Sequence, residues 1–116
     1  GLGSAKTGVR HWWWQRITAV ALIPLSLRVV ASIITMIGAD YDAVVTWIRS
    51  PIVAAFLVLL VVCLFYHSLL GVKVIIEDYV HNEGLKVAVL VGIQFIISAL
   101  ILVASIAILR IAAGVA

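Results

Sequence analysis

An all-α membrane protein with three transmembrane helices is the fold class this sequence predicts, and three observations carry it. Hydrophobic residues make up 66% of the chain and charged residues only 11%, which leaves too little polar surface to coat a soluble core. The apolar residues gather in three blocks, 17–37, 51–76 and 87–113. Each is longer than the ~20 residues that cross about 30 Å of hydrocarbon at ~1.5 Å per residue. The blocks are unbroken and lack the period-2 alternation of barrel strands, so helices are the way their backbone is satisfied in lipid.

The elements follow in order. Residues 1–16, GLGSAKTGVRHWWWQR, are small and basic and then turn aromatic. Trp12, Trp13 and Trp14 form either an interfacial belt that anchors the first helix or one wall of a cofactor or quinone mouth. The first block carries Pro24, expected to kink the helix and free a carbonyl in the preceding turn. It also carries Arg28, about 18 Å beyond Arg16 along a regular helix. An unpaired guanidinium there is costly, so Arg28 must snorkel, pair or face protein. The first connection, GADYDAVVTWIRS, brings Asp40, Asp42 and Arg49; the second, around EDYVHNEGLK, is short and flanked by Lys73 and Lys86.

The chain reads as one membrane domain over 1–116, without repeats. Lys6, Arg10 and Arg16, with Lys73 and Lys86, outweigh Arg49 and Arg110 near the helix ends. The N-terminus and second connection are therefore expected on the cytoplasmic side, and the C-terminus on the periplasmic side. The formal charge of +3 is too scattered for a nucleic-acid surface. Three spans allow no inverted pair, which argues against a secondary transporter. The lone Cys63 can form neither an internal disulfide nor a cysteine-held metal cluster.

Within FYHSLLGVKVIIEDYVH, His67 lies ten residues before Glu77, about 15 Å inside the membrane. An ionisable group at that depth marks a functional site unless it simply hydrogen-bonds a neighbouring helix. Imidazole is a common axial ligand of haem iron, and His67, Gly71, Val74 and Asp78 fall on one stripe of a helix. Gly71 leaves room beside the histidine for a flat macrocycle or a partner helix. His11 and His81 belong near the interface, too far from His67 to share its iron, so a second ligand must come from another chain. Tyr79 beside Asp78 suits a hydrogen bond to a quinone carbonyl, or is a solvated helix end. Arg16 suits either a lipid phosphate or a haem propionate.

These residues resemble the small hydrophobic membrane-anchor subunit of succinate dehydrogenase (respiratory complex II), alphaproteobacterial in wording. The resemblance rests on the three-span layout, on GVRHWWWQRITAVAL with its RxTAxxL core, and on the H-x10-DY spacing of HSLLGVKVIIEDYVH. It implies half of a haem-binding helical bundle, completed by a sister subunit of the cytochrome b556 type. It further implies that His67 is one axial ligand of haem b, that Arg16 approaches the haem propionates, and that Tyr79 with Asp78 forms part of the ubiquinone pocket. Separate iron–sulfur and flavoprotein subunits would dock on the cytoplasmic face of a bacterial inner membrane. Arg28 stands where that family is expected to have an uncharged residue. The rival expectations are a structural or proton-relay subunit of another respiratory complex, such as a fumarate reductase anchor, and a small oligomeric transporter.

Overall fold

In the computed structural model, residues 2–115 are described, with side chains from Gly8 onward; Gly1, Ala116 and the side chain of Lys6 lie outside the described residues. The chain forms α1 (Leu2–Thr35), α2 (Tyr41–Arg49), α3 (Pro51–Tyr79) and α4 (Glu83–Ala112). No strand occurs among the described residues. Three helical stretches, Gly8–Thr35, Pro51–Tyr79 and Glu83–Ala112, are long and apolar enough to cross a membrane. The unbroken apolar runs therefore become the three spans that their length and composition predict. Helix α1 begins well before the first apolar block, so Trp12, Trp13, Trp14 and Arg16 ride on it. It also continues through Pro24, whose missing N–H leaves one carbonyl of the preceding turn without its helical donor.

The helix ends are set by local chemistry. Beyond α1 the backbone tightens, with Met36 N–H donating to Ile33 C=O at 3.0 Å. Gly38 then takes φ +84°, a left-handed conformation that costs glycine little and stops the helix. Asp40 opens α2 by accepting a hydrogen bond from Ala43 N–H at 2.9 Å, an N-cap. This helix of nine residues lies in the first connection and is too short for hydrophobic-block counting to detect. Pro51 then starts α3 at a position where its missing N–H has no helical partner to lose. At the other end of α3, Asn82 caps α4 by accepting from Leu85 N–H at 2.9 Å. Helix α4 closes in a Schellman turn. Val115 N–H donates to Arg110 C=O at 2.9 Å, Gly114 N–H donates to Ile111 C=O at 3.1 Å, and Gly114 has φ +78°.

Helix α3 is the middle of the assembly. It packs on α1 along one side and on α4 along the other, while α1 and α4 make no close backbone approach among the described residues. The spans thus form a row of three rather than a closed bundle, with extents of 54 × 25 × 23 Å. Shielded side chains are few: Thr18 and Leu25 on α1, and Ala54, Leu69, Leu70 and Ile76 on α3. Exposed Val, Ile and Leu on the outer faces carry no water penalty where lipid or another membrane protein covers them.

Helices α1 and α3 run antiparallel, because Thr18 meets His67 while Arg28 and Ser32 share a pocket with Val53 and Phe56. Arg28 accordingly lies level with the first turns of α3 and beside Trp47 of α2. Its exposed side chain is near the α2 end of the assembly, within reach of a polar boundary by snorkelling. Asp40→Ala is expected to cost about 1 kcal/mol of local stability in α2. Amide hydrogen exchange in nanodiscs should then quicken across 41–49 and stay unchanged in the middle of α3.

Candidate functional site

His67 sits close to the midpoint of the 29-residue α3 and is half-buried. Its Nδ1 lies 3.0 Å from Thr18 Oγ1 of α1. Thr18 is only 5% exposed, so water scarcely competes for this bond. The same hydroxyl oxygen is 2.8 Å from the Trp14 carbonyl and 3.1 Å from the Gln15 carbonyl, the back-bonding geometry usual for threonine in a helix. One turn from Thr18, the Trp14 indole meets the Tyr66 ring edge-on, with centroids 6.3 Å apart. Thr18–His67 and Trp14–Tyr66 are thus neighbouring contacts between α1 and α3, an aromatic pair beside a polar one.

The second ring nitrogen of His67, Nε2, makes no hydrogen bond among the described residues. Gly71, one turn along α3, borders open space: a Cβ added there would meet nothing within 4 Å. Packing inside this chain therefore does not require glycine at position 71. The residues present are compatible with a haem: one imidazole contacts Thr18 through Nδ1, its Nε2 has no hydrogen-bond partner among the described residues, and the same face is clear one turn away. No three of His, Cys, Asp and Glu converge among the described residues, so His67 is a single donor.

The other sequence-predicted residues lie apart from it. Asp78 and Tyr79 are both exposed at the C-terminal end of α3, and Tyr79 is 77% exposed. Tyr79 is twelve residues past His67, about 18 Å along the helix axis. Arg16 is exposed as well, with its guanidinium stacked 5.1 Å from the Trp12 ring centroid. It shares an outward groove with Trp13, Ile17 and Val20, about 200° around α1 from Thr18. The chain by itself thus brings together Thr18 and His67, and leaves Arg16, Asp78 and Tyr79 facing outward. Thr18 is the residue that sequence reasoning overlooked as part of the site. The available signal was a threonine inside an apolar span, where a hydroxyl tends to bond across helices.

A row of three spans with a lone intramembrane histidine defines a membrane-embedded helical protein whose open faces suit further chains. The chain belongs to the succinate dehydrogenase/fumarate reductase transmembrane subunit family, whose model matches residues 1–107. It is 34% identical over 92 residues to the succinate dehydrogenase hydrophobic membrane anchor subunit of Rickettsia bellii, covering 79% of this chain and 74% of that protein. It is 35% identical over 85 residues to the succinate dehydrogenase membrane anchor subunit of Reclinomonas americana, covering 71% of each chain. Identity to the succinate dehydrogenase hydrophobic membrane anchor subunit of Paracoccus denitrificans is 29% over 95 residues, covering 82% of this chain and 74% of that one. No solved structure matches.

Gly71 supplies the test of the open face. Gly71→Ala is expected to leave the membrane insertion and helicity of the isolated chain unchanged. Gly71→Phe should also insert normally, yet reduce copurification of whatever packs beside His67, as read by the chains and chromophore recovered through a tag on this protein.

Proposed function

We propose that this chain anchors a succinate:ubiquinone oxidoreductase in the membrane, supplies one axial ligand of haem b, and contributes part of the ubiquinone-reduction site. One observation carries the haem assignment: an imidazole at mid-span is held through Nδ1 while its Nε2 is left without a partner among the described residues. In a metal site, the far nitrogen of a ligating histidine is held in just this manner by a hydrogen bond. A second ligand would come from a sister subunit of the cytochrome b556 type. Its helices would also cover the faces of α1 and α4 that the row of three leaves bare.

Each residue has a task on this reading. His67 would hold the haem iron through Nε2. Arg16, with an exposed guanidinium on the tryptophan-rich side of α1, pairs with a haem propionate in a charge-assisted contact. Tyr79 donates its phenolic hydrogen to a ubiquinone carbonyl, and Asp78 orders that pocket against neighbouring subunits. The bound haem supplies one-electron redox capacity within the membrane. Arg10, Arg16, Lys73 and Lys86 lie toward one end of the spans and Arg28, Arg49 and Arg110 toward the other, and with Lys6 this excess of cations supports the cytoplasmic face of a bacterial inner membrane for the first end. There the iron–sulfur and flavoprotein subunits dock, so electrons from succinate and protons from water enter from the same side.

Two substitutions separate these roles. His67→Ala should abolish or grossly alter the reduced-minus-oxidised haem b spectrum of the purified complex while the chain still inserts; an unchanged spectrum removes the ligand assignment. Tyr79→Phe should lower ubiquinone reduction by roughly 2- to 10-fold, the worth of one hydrogen bond of about 0.5–1.5 kcal/mol. Succinate-dependent dye reduction should be unaffected, and equal loss of both activities would mean failed assembly instead.

A further inference from the structure

We propose that Thr18 is a positioning residue that fixes the tautomer and ring orientation of His67, and so determines which nitrogen is offered to iron. The inference rests on the haem-ligand reading of His67 and goes one shell beyond it. A hydroxyl has one proton to donate and two lone pairs to accept with. Thr18 Oγ1 is 2.8 Å from the Trp14 carbonyl and 3.1 Å from the Gln15 carbonyl. Neither carbonyl oxygen has a proton, so the hydrogen in those short contacts is the threonine's own. The side of Oγ1 that faces His67, 3.0 Å away, is then a lone pair. A bond at that distance requires the proton to sit on His67 Nδ1.

The consequence for the ring follows directly. A neutral imidazole protonated at Nδ1 carries its lone pair on Nε2, the nitrogen without a partner among the described residues. The opposite tautomer would set the Nδ1 lone pair against the threonine oxygen and leave Nε2 protonated and unable to ligate. Reversing the arrangement means turning the hydroxyl away from two carbonyls inside a site that is 5% exposed, where unmade hydrogen bonds are expensive. The neighbouring Trp14–Tyr66 contact also joins α1 to α3. The accepted bond also pulls the Nδ1 proton toward oxygen, makes the ring a stronger electron donor and favours ferric over ferrous iron.

The experiment uses the assembled complex with Thr18→Val, which keeps the shape and removes the hydroxyl, with Thr18→Ser, which keeps the hydroxyl, and with His67→Ala as the control. Haem content, redox potentiometry of haem b and the electron paramagnetic resonance of ferric haem are the readouts. For Thr18→Val the midpoint potential is expected to rise, the ferric g-values to shift and haem retention to weaken by roughly 10- to 100-fold; Thr18→Ser should return all three to the wild-type values. Should valine crowd the seam and block assembly, Thr18→Ala, smaller and a better helix former, is read in the same way. Wild-type potential and g-values in Thr18→Val or Thr18→Ala, with haem lost in His67→Ala, overturn the positioning role and leave the ligand assignment standing. Assembly lost in all three Thr18 variants, serine included although it keeps the hydroxyl, would make Thr18 a packing residue and overturn it too. Haem unaffected by His67→Ala overturns the ligand assignment itself.

Discussion

The contact between Thr18 and His67 is the polar link between α1 and α3, and the arrangement of the site depends on it. Apolar surface gains little by leaving lipid for another helix, so spans associate through packing, small residues and interhelical hydrogen bonds. Among the described residues no other side-chain hydrogen bond joins two of the long helices. It therefore fixes register as well as chemistry. Sliding α1 along α3 by one residue would move Thr18 by about 1.5 Å and break a bond whose threonine end is buried.

The row of three helices is the second organising feature. With α3 between its neighbours and no close backbone approach between α1 and α4 among the described residues, much of the side-chain area stays uncovered, and α4 has no fully buried residue. A soluble protein could not persist in that form, because exposed isoleucine and leucine would drive aggregation. In a bilayer the same surfaces are solvated by lipid or covered by partner helices at little cost. The incomplete core of this chain is thus the counterpart of its place in a larger assembly, in keeping with its membership of a membrane-anchor family.

Polar and charged residues are distributed by the same physics of burial. Among the described residues Arg28 has no acidic partner, and it is exposed rather than interior; it lies beside Trp47 and the first turns of α3. Its depth in the apolar block looks forbidding only if α1 begins near residue 17. Because α1 starts at Leu2, Arg28 lies toward the far end of the span. Asp78 and Tyr79 end α3 in the open, available to neighbouring chains, and Arg16 rests on an indole face.

The sequence by itself determined the three spans, the all-α class and the anomaly of a histidine amid apolar residues, because hydrocarbon permits few backbone solutions and penalises polar groups locally, residue by residue. It also made the family legible through the spacing of His67 and the Asp78–Tyr79 pair. The short α2 escaped it, since nine residues with one cap leave no long-range hydrophobic signature. Only the tertiary structure decided that α3 is central, that Arg28 reaches the far end, and that Thr18 is the group facing His67. Those facts depend on the axial register and rotation of one helix against another, quantities set by side-chain packing across a seam and absent from the periodicity of either helix alone.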